Sequence, residues 1–133
     1  MQVFTDPRFY RDSIVDTGQF SFPGGGATVA WIDARDIASV AERALLDAGH
    51  AGQVYELSGP ESLSMPRTAE LLSAAAGRPV THREVTIVEA VAGMTGFERD
   101  LSALTFERVR AGRFAEVTGA VESAKNRRSK GYG

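Results

Sequence analysis

At 133 residues, 43% apolar and 24% charged, the chain has the length and make-up of one globular domain, which excludes wholesale disorder and two independent cores. It has no cysteine, so a disulfide framework, a thiolate metal site and a cysteine nucleophile are excluded. The formal net charge of −2 hides an asymmetry: all 17 acidic residues lie at or before Glu122, and Lys125, Arg127, Arg128 and Lys130 follow it.

An acidic body lacks the clustered Lys and Arg that phosphate contacts need, so no nucleic-acid partner is expected. No apolar run approaches the roughly 20 residues of a membrane span, and the first dozen residues are too polar for a signal peptide. The expectation is a cytoplasmic domain with no membrane partner.

Residues 1–12 mix aromatics and charges around Pro7 and read as a loop entering a short helical turn. Phe20 and Phe22, then Pro23 and three glycines, then Val29 and Trp31 predict a hairpin of residues 19–22 with 28–32. Asp33 is a natural N-cap for a helix whose stripe is Ile37, Val40, Ala41, Ala44 and Leu45, with Asp36 favouring its first turn and Gly49 its end. Residues 53–57 read as a strand.

Ser64 predicts a second helix with Pro66 in its first turn, closed by Gly77. Residues 80–85 read as a further short strand. Thr86 with Glu89 three residues on forms a capping box, starting a third helix that Gly93 and Gly96 interrupt. Phe97, Leu101 and Leu104 mark a fourth, reaching about Arg110. The expected division is one domain over residues 1–118 and a basic, disordered tail over 119–133.

Chemistry is thinly written in these residues. A phosphate cradle places its glycines between a strand and a helix N-terminus, whereas Gly24, Gly25 and Gly26 precede a second strand, so a tight turn is expected. His50 sits in a glycine-rich turn and His82 in a strand, without metal-ligand spacing, so no metal is expected. Ser58-Gly59 lacks the upstream glycine of a nucleophile elbow. Both lysines lie in the tail, so neither Tyr10 nor Tyr55 begins a Y-x-x-x-K pair. Asp33 and Asp36 read as helix-capping residues. The catalytic residues stay unknown.

Several segments are nonetheless familiar. Ile32-Asp33-Ala34-Arg35-Asp36-Ile37-Ala38 with Ala41 and Ala44-Leu45, then Gly52 through Glu61 with Tyr55, Leu57, Ser58, Gly59 and Pro60, then Gly77-Arg78-Pro79-Val80, follow one another in order. Together they resemble the second half of the NmrA-like, NAD(P)-binding atypical short-chain dehydrogenase/reductases, over residues 9 to about 118. Members of that family are about twice as long, and their first half is a Rossmann sheet carrying the glycine-rich turn that holds the dinucleotide. The family's usual ending is replaced here by Thr118-Gly119-Ala120-Val121 and the basic tail.

The resemblance implies an α/β fold equivalent to the C-terminal half of a Rossmann-type reductase, with short strands, a hairpin and about four helices, and without the glycine-rich cofactor half. It implies the substrate-binding half of an NAD(P)-dependent oxidoreductase, a fragment or a natural truncation, not expected to reduce substrate alone. NAD(P) would be the cofactor of a complete member; this chain alone is expected to bind none. By the same mapping Phe9, Tyr10, Phe22 and Trp31 become substrate-pocket candidates. A cofactor-free module binding a small apolar molecule or a partner, or a truncated form acting on an apolar metabolite, are the alternatives. An uncovered apolar face would make the chain a homo-oligomer, a dimer or larger.

Overall fold

A computed structural model describes residues 2–126. A 3₁₀ turn, Gln2–Phe4, leads into helix α1, Arg11–Thr17, which stops at Gly18 in the left-handed conformation. The Arg78 guanidinium donates to the carbonyls of Ile14 and Val15 at that helix end, a cationic cap on a helix C-terminus. The G-R-P-V motif therefore serves the fold. Gly77 ends one helix, Arg78 caps another, and Val80 enters the core.

Strand β1, Gln19–Phe22, is not part of a hairpin with the residues that follow its turn. Its partner is parallel and 62 residues away, Thr81–Glu84, with Gln19 opposite Thr81 and Phe22 opposite Glu84. Thr28–Val29, strand β2, pairs antiparallel with β3, Leu63–Ser64. Two two-stranded ladders thus replace the expected hairpin, and the glycine turn passes from one to the other. Alternation alone cannot choose a strand's partner, because backbone hydrogen bonds carry no sequence label.

Helix α2, Ala34–Leu46, begins where expected, with the Asp33 carboxylate accepting from the Arg35 N–H at 2.8 Å. That bond holds the Asp33 carboxyl below its ordinary range. The helix ends three residues before Gly49, capped at Asp47. Helix α3, Met65–Ala76, starts on the Ser64 hydroxyl and stops at left-handed Gly77. Strand β4, Thr81–Glu84, precedes α4, Ile87–Ala90, whose capping box between Thr86 and Glu89 is formed in both directions. Helix α5 runs Gly96–Arg110.

Two expectations are corrected here. Residues 53–57 join neither ladder, although their alternation is real: Tyr55 and Leu57 pack inward and Val54 is 89% exposed. Ala120–Asn126, within the stretch expected to be disordered, is a further helix, α6. It packs on α2, where Val121 and Ala124 meet Val40 and the Lys125 ammonium reaches the Asp36 carboxylate at 2.5 Å. The described residues therefore hold six α-helices rather than about four; the basic residues after α6 lie outside them.

Most burial is aromatic. Phe4, Phe20 and Phe22 form the centre of the main core with Ile14, Met65 and Val109, and Phe20 is fully buried. Phe20 and Phe22 sit two apart on one face of β1, and ring edges meet faces across Phe4, Tyr10, Phe20, Phe22, Trp31 and Phe106. Such edge-to-face contacts add to the area-based burial term.

Candidate functional site

A cleft of about 730 Å³ opens beside β2, inside the size range of small-molecule sites. Its floor is Ala30, Trp31 and Ile32, one wall is the C-terminal part of α5 with Thr105 and Val109, and the opposite wall is the loop that carries Phe114. Glu56, Arg113 and Glu116 bring charge to a lining that is otherwise largely apolar. The loop wall is tied down at two points. The Ala30 N–H donates to the Phe114 carbonyl at 2.8 Å, and the Thr118 N–H donates to Ser58 Oγ at 2.9 Å.

The Ser58-Gly59-Pro60 segment explains itself at this cleft. The Gly59 N–H donates to the Ala30 carbonyl at 3.0 Å, and a Cβ on Gly59 would lie 1.7 Å from the Trp31 carbonyl oxygen. Only glycine lets the two backbones approach so closely, and that approach fixes Trp31 at the cleft floor. Ser58 Oγ accepts from Thr118 while donating to the Gly59 carbonyl, which locks the motif to the far end of the loop wall.

Of the four residues expected at the pocket, Trp31 lines the cleft; Phe9, Tyr10 and Phe22 are elsewhere. The Trp31 indole N–H donates to Thr68 Oγ1 at 3.1 Å, and its ring packs against Phe4 and Phe22. Phe22 lies behind it, buried between Trp31, Tyr10 and Phe106. Tyr10 belongs to the same layer, and burial pushes its phenol up to about 12. Phe9 is 57% exposed under the Arg8 guanidinium. Phe114, Arg113 and Glu116 escape the sequence reading because a loop without periodicity advertises none of its side chains, and Val109 escapes it because it stands off the Phe97, Leu101 and Leu104 stripe of α5.

The triple glycine makes a different structure from a phosphate cradle. Gly25 and Gly26 take positive φ, and a Cβ on Gly24 would press on Met65. The Gly25 N–H, the group a phosphate would seek, donates to Glu84 Oε1 at 2.7 Å. Glu84 is also paired with Arg110 at 3.1 Å, and Arg110 donates to the Pro23 carbonyl. A carboxylate of the chain itself therefore occupies the anion position, and these residues do not fit a dinucleotide pyrophosphate. His82 lies beside this turn, its Nε2 donating to the Phe22 carbonyl at 2.8 Å. His50 is buried elsewhere, its Nδ1 sharing a hydrogen bond with the Tyr55 hydroxyl at 2.7 Å. Among the described residues no cluster of three His, Asp or Glu could hold a metal ion, and no helix is long and apolar enough to cross a membrane.

No family model matches the chain. It is 48% identical, over 65% of its length, to an NAD(P)H azoreductase of Xenophilus azovorans, of which it spans 30%. Its fold matches an NADPH-dependent quinone oxidoreductase of Escherichia coli with a TM-score of 0.75 at 19% identity, covering 98% of this chain and 48% of that one. A Citrobacter triphenylmethane reductase, solved with NADP(H), matches with a TM-score of 0.73 at 20% identity, over 86% and 42% of the two chains.

Fold and matched sequence together place the chain alongside part of the Rossmann-type reductases. These similarities fit the NmrA-like NAD(P)-binding reductases, and the chain spans less than half the length of these relatives.

Proposed function

We propose that the chain is the C-terminal, substrate-side part of an NAD(P)-dependent reductase, and that the cleft at Trp31 receives a flat, conjugated electron acceptor. The observation that carries this reading is the cleft itself: a largely apolar space of about 730 Å³ with the single tryptophan at its floor. The relatives act on azo compounds, quinones and triphenylmethane dyes by their names, and these acceptors share an extended planar π-system. A tryptophan face and the Val109 and Phe114 side chains suit such a ligand.

The nicotinamide, in this reading, is held by residues outside this chain. The glycine turn is closed by Glu84, so the chain's own residues bind and orient the acceptor and exclude water from it. Two apolar stripes point outward: Ala41, Ala44 and Leu45 on α2, and Phe97, Leu101 and Leu104 on α5. Faces of that kind favour association, and we assign the chain to a homo-oligomer in the cytoplasm.

A cofactor-free binding module is the second reading, favoured by a cleft whose walls come from this chain alone. Titration separates the two. Menadione or a planar azo dye should quench Trp31 emission saturably, Trp31→Ala should abolish the calorimetric signal, and NADH and NADPH should give none with this chain alone. Adding the dinucleotide-binding part of a full-length relative should restore hydride transfer under the first reading and do nothing under the second. Micromolar NADPH binding by this chain, or no binding of any planar acceptor, would overturn the assignment of the cleft.

A further inference from the structure

The loop wall of the cleft leaves α5 directly after Arg110, and that residue is held more firmly than its place at a helix end requires. Its Nε donates to the Pro23 carbonyl at 3.0 Å, and its Nη2 donates to Glu84 Oε1 at 3.1 Å and to the Val85 carbonyl at 3.2 Å. One guanidinium thereby joins three separate segments: the glycine turn, the end of β4 and the end of α5. Only a planar fork of donors does this, because an ammonium group presents its hydrogens from a single point. Gly25 completes the fit, since a Cβ there would lie 3.0 Å from Arg110 Cγ.

From Arg110 two routes run to Trp31. Through the helix, Val109 lines the cleft, and Phe106, one turn earlier, meets Phe22 edge-on at 5.4 Å; Phe22 in turn meets Trp31 at 6.0 Å. Through the loop, the chain passes from Arg110 to Phe114, whose carbonyl accepts from Ala30 beside Trp31. Resting on the cleft being the acceptor site, the geometry points to Arg110 as a positioning residue that sets the separation of the α5 and loop walls from the Trp31 floor. Glu84 serves it as a hydrogen-bond acceptor shared with the Gly25 N–H, so its oxygen matters more than its charge.

The test compares Arg110→Met, Arg110→Lys and Glu84→Gln with Arg78→Ala, a control that removes an equally local clamp, on α1, away from the cleft lining. Each is followed by thermal melting, by acrylamide quenching of the single tryptophan, and by menadione titration. Arg110→Met should raise the acrylamide quenching constant and weaken menadione about fivefold, as the cleft walls lose their fixed separation from Trp31. Arg110→Lys should fall between Arg110→Met and the wild type, and Glu84→Gln should stay near the wild type because its amide oxygen still accepts. Arg78→Ala should lower the melting temperature without changing quenching.

Equal quenching in Arg110→Met and the wild type overturns the proposal, as does an Arg78→Ala variant that opens Trp31 equally. Should Arg110→Met fail to fold, Arg110→Lys decides, and wild-type quenching and affinity in that variant overturn it too. If the wild type binds no menadione, the acceptor-site reading fails by itself, and the acrylamide series still reports whether Arg110 sets the cleft walls.

Discussion

The aromatic layer on β1 and the helix pair α2–α6 differ in how much of their apolar surface the chain covers by itself. Phe20 is fully buried, and the rings of Phe4, Tyr10 and His82 close around it from the N-terminal turn, the α1 entry and β4, with Trp31 and Phe22 packed in turn against Phe4 and Tyr10. On α2, the helix with the clearest apolar stripe, Val40 is buried against Val121 and Ala124 while Leu45 is 85% exposed. Periodicity announces that a face is apolar; it does not say which surface covers it. The first region is a finished core, and the second leaves part of its apolar face exposed.

The largest expected effect breaks the first region. Phe20→Ala should cost about 3–5 kcal/mol in denaturant unfolding, since a buried aromatic leaves a cavity that its neighbouring rings cannot collapse into. Val40→Ala, in the second region, should cost about 1–2 kcal/mol for the lost methyl groups and a smaller void. If the two losses came out equal, the contrast between finished and unfinished regions would be lost.

Leu45→Glu sharpens the contrast from the other side. An exposed position should change stability by no more than about 0.5 kcal/mol, yet the variant should shift light scattering from an oligomer toward the monomer. Oligomers that persist would move the association face to Phe97, Leu101 and Leu104 on α5.

The smallest effect is a titration. Burial raises the Tyr10 phenol from 10.0 to about 12 in the folded chain, so the folded state holds this proton where the unfolded state has released it. The contribution to stability is complete below pH 10 and declines as pH rises toward 12. Phenolate absorbance in the folded chain should therefore show one tyrosine titrating late, and Tyr10→Phe should remove that step. A Tyr10 that titrates near its ordinary value would mean its layer is looser than the packing of Phe4 and Phe20 around it.

Local chemistry was legible residue by residue. Asp33, Ser64 and Thr86 with Glu89 cap helices as their side chains dictate, and Gly77 ends one because no side chain opposes the left-handed conformation there. The motif residues Gly59, Arg78 and Val80 stood out as a pattern, although their roles depend on the segments they touch. The partner of β1 was not legible, because its ladder with Thr81–Glu84 spans 62 residues and any strand edge offers the same donors and acceptors. Nor was α6, whose Val121 and Ala124 become a face only when Val40 is opposite them.

The candidate site divides the same way. Trp31 could be singled out from sequence as an aromatic beside a turn, but Phe9, Tyr10 and Phe22 share that description and lie outside the cleft lining. What separates them is burial and direction, which depend on the distant segments packed against each ring. The amino-acid sequence by itself determined helices α2 to α5, the caps at Asp33, Ser64 and Thr86, the reductase motifs and the absence of cysteine chemistry, because those rest on neighbours within a few residues. Tertiary structure alone decided that the glycine turn is closed by Glu84 and Arg110, and that a loop without periodicity forms the cleft wall. Both depend on groups far apart in the chain meeting at hydrogen-bond distance.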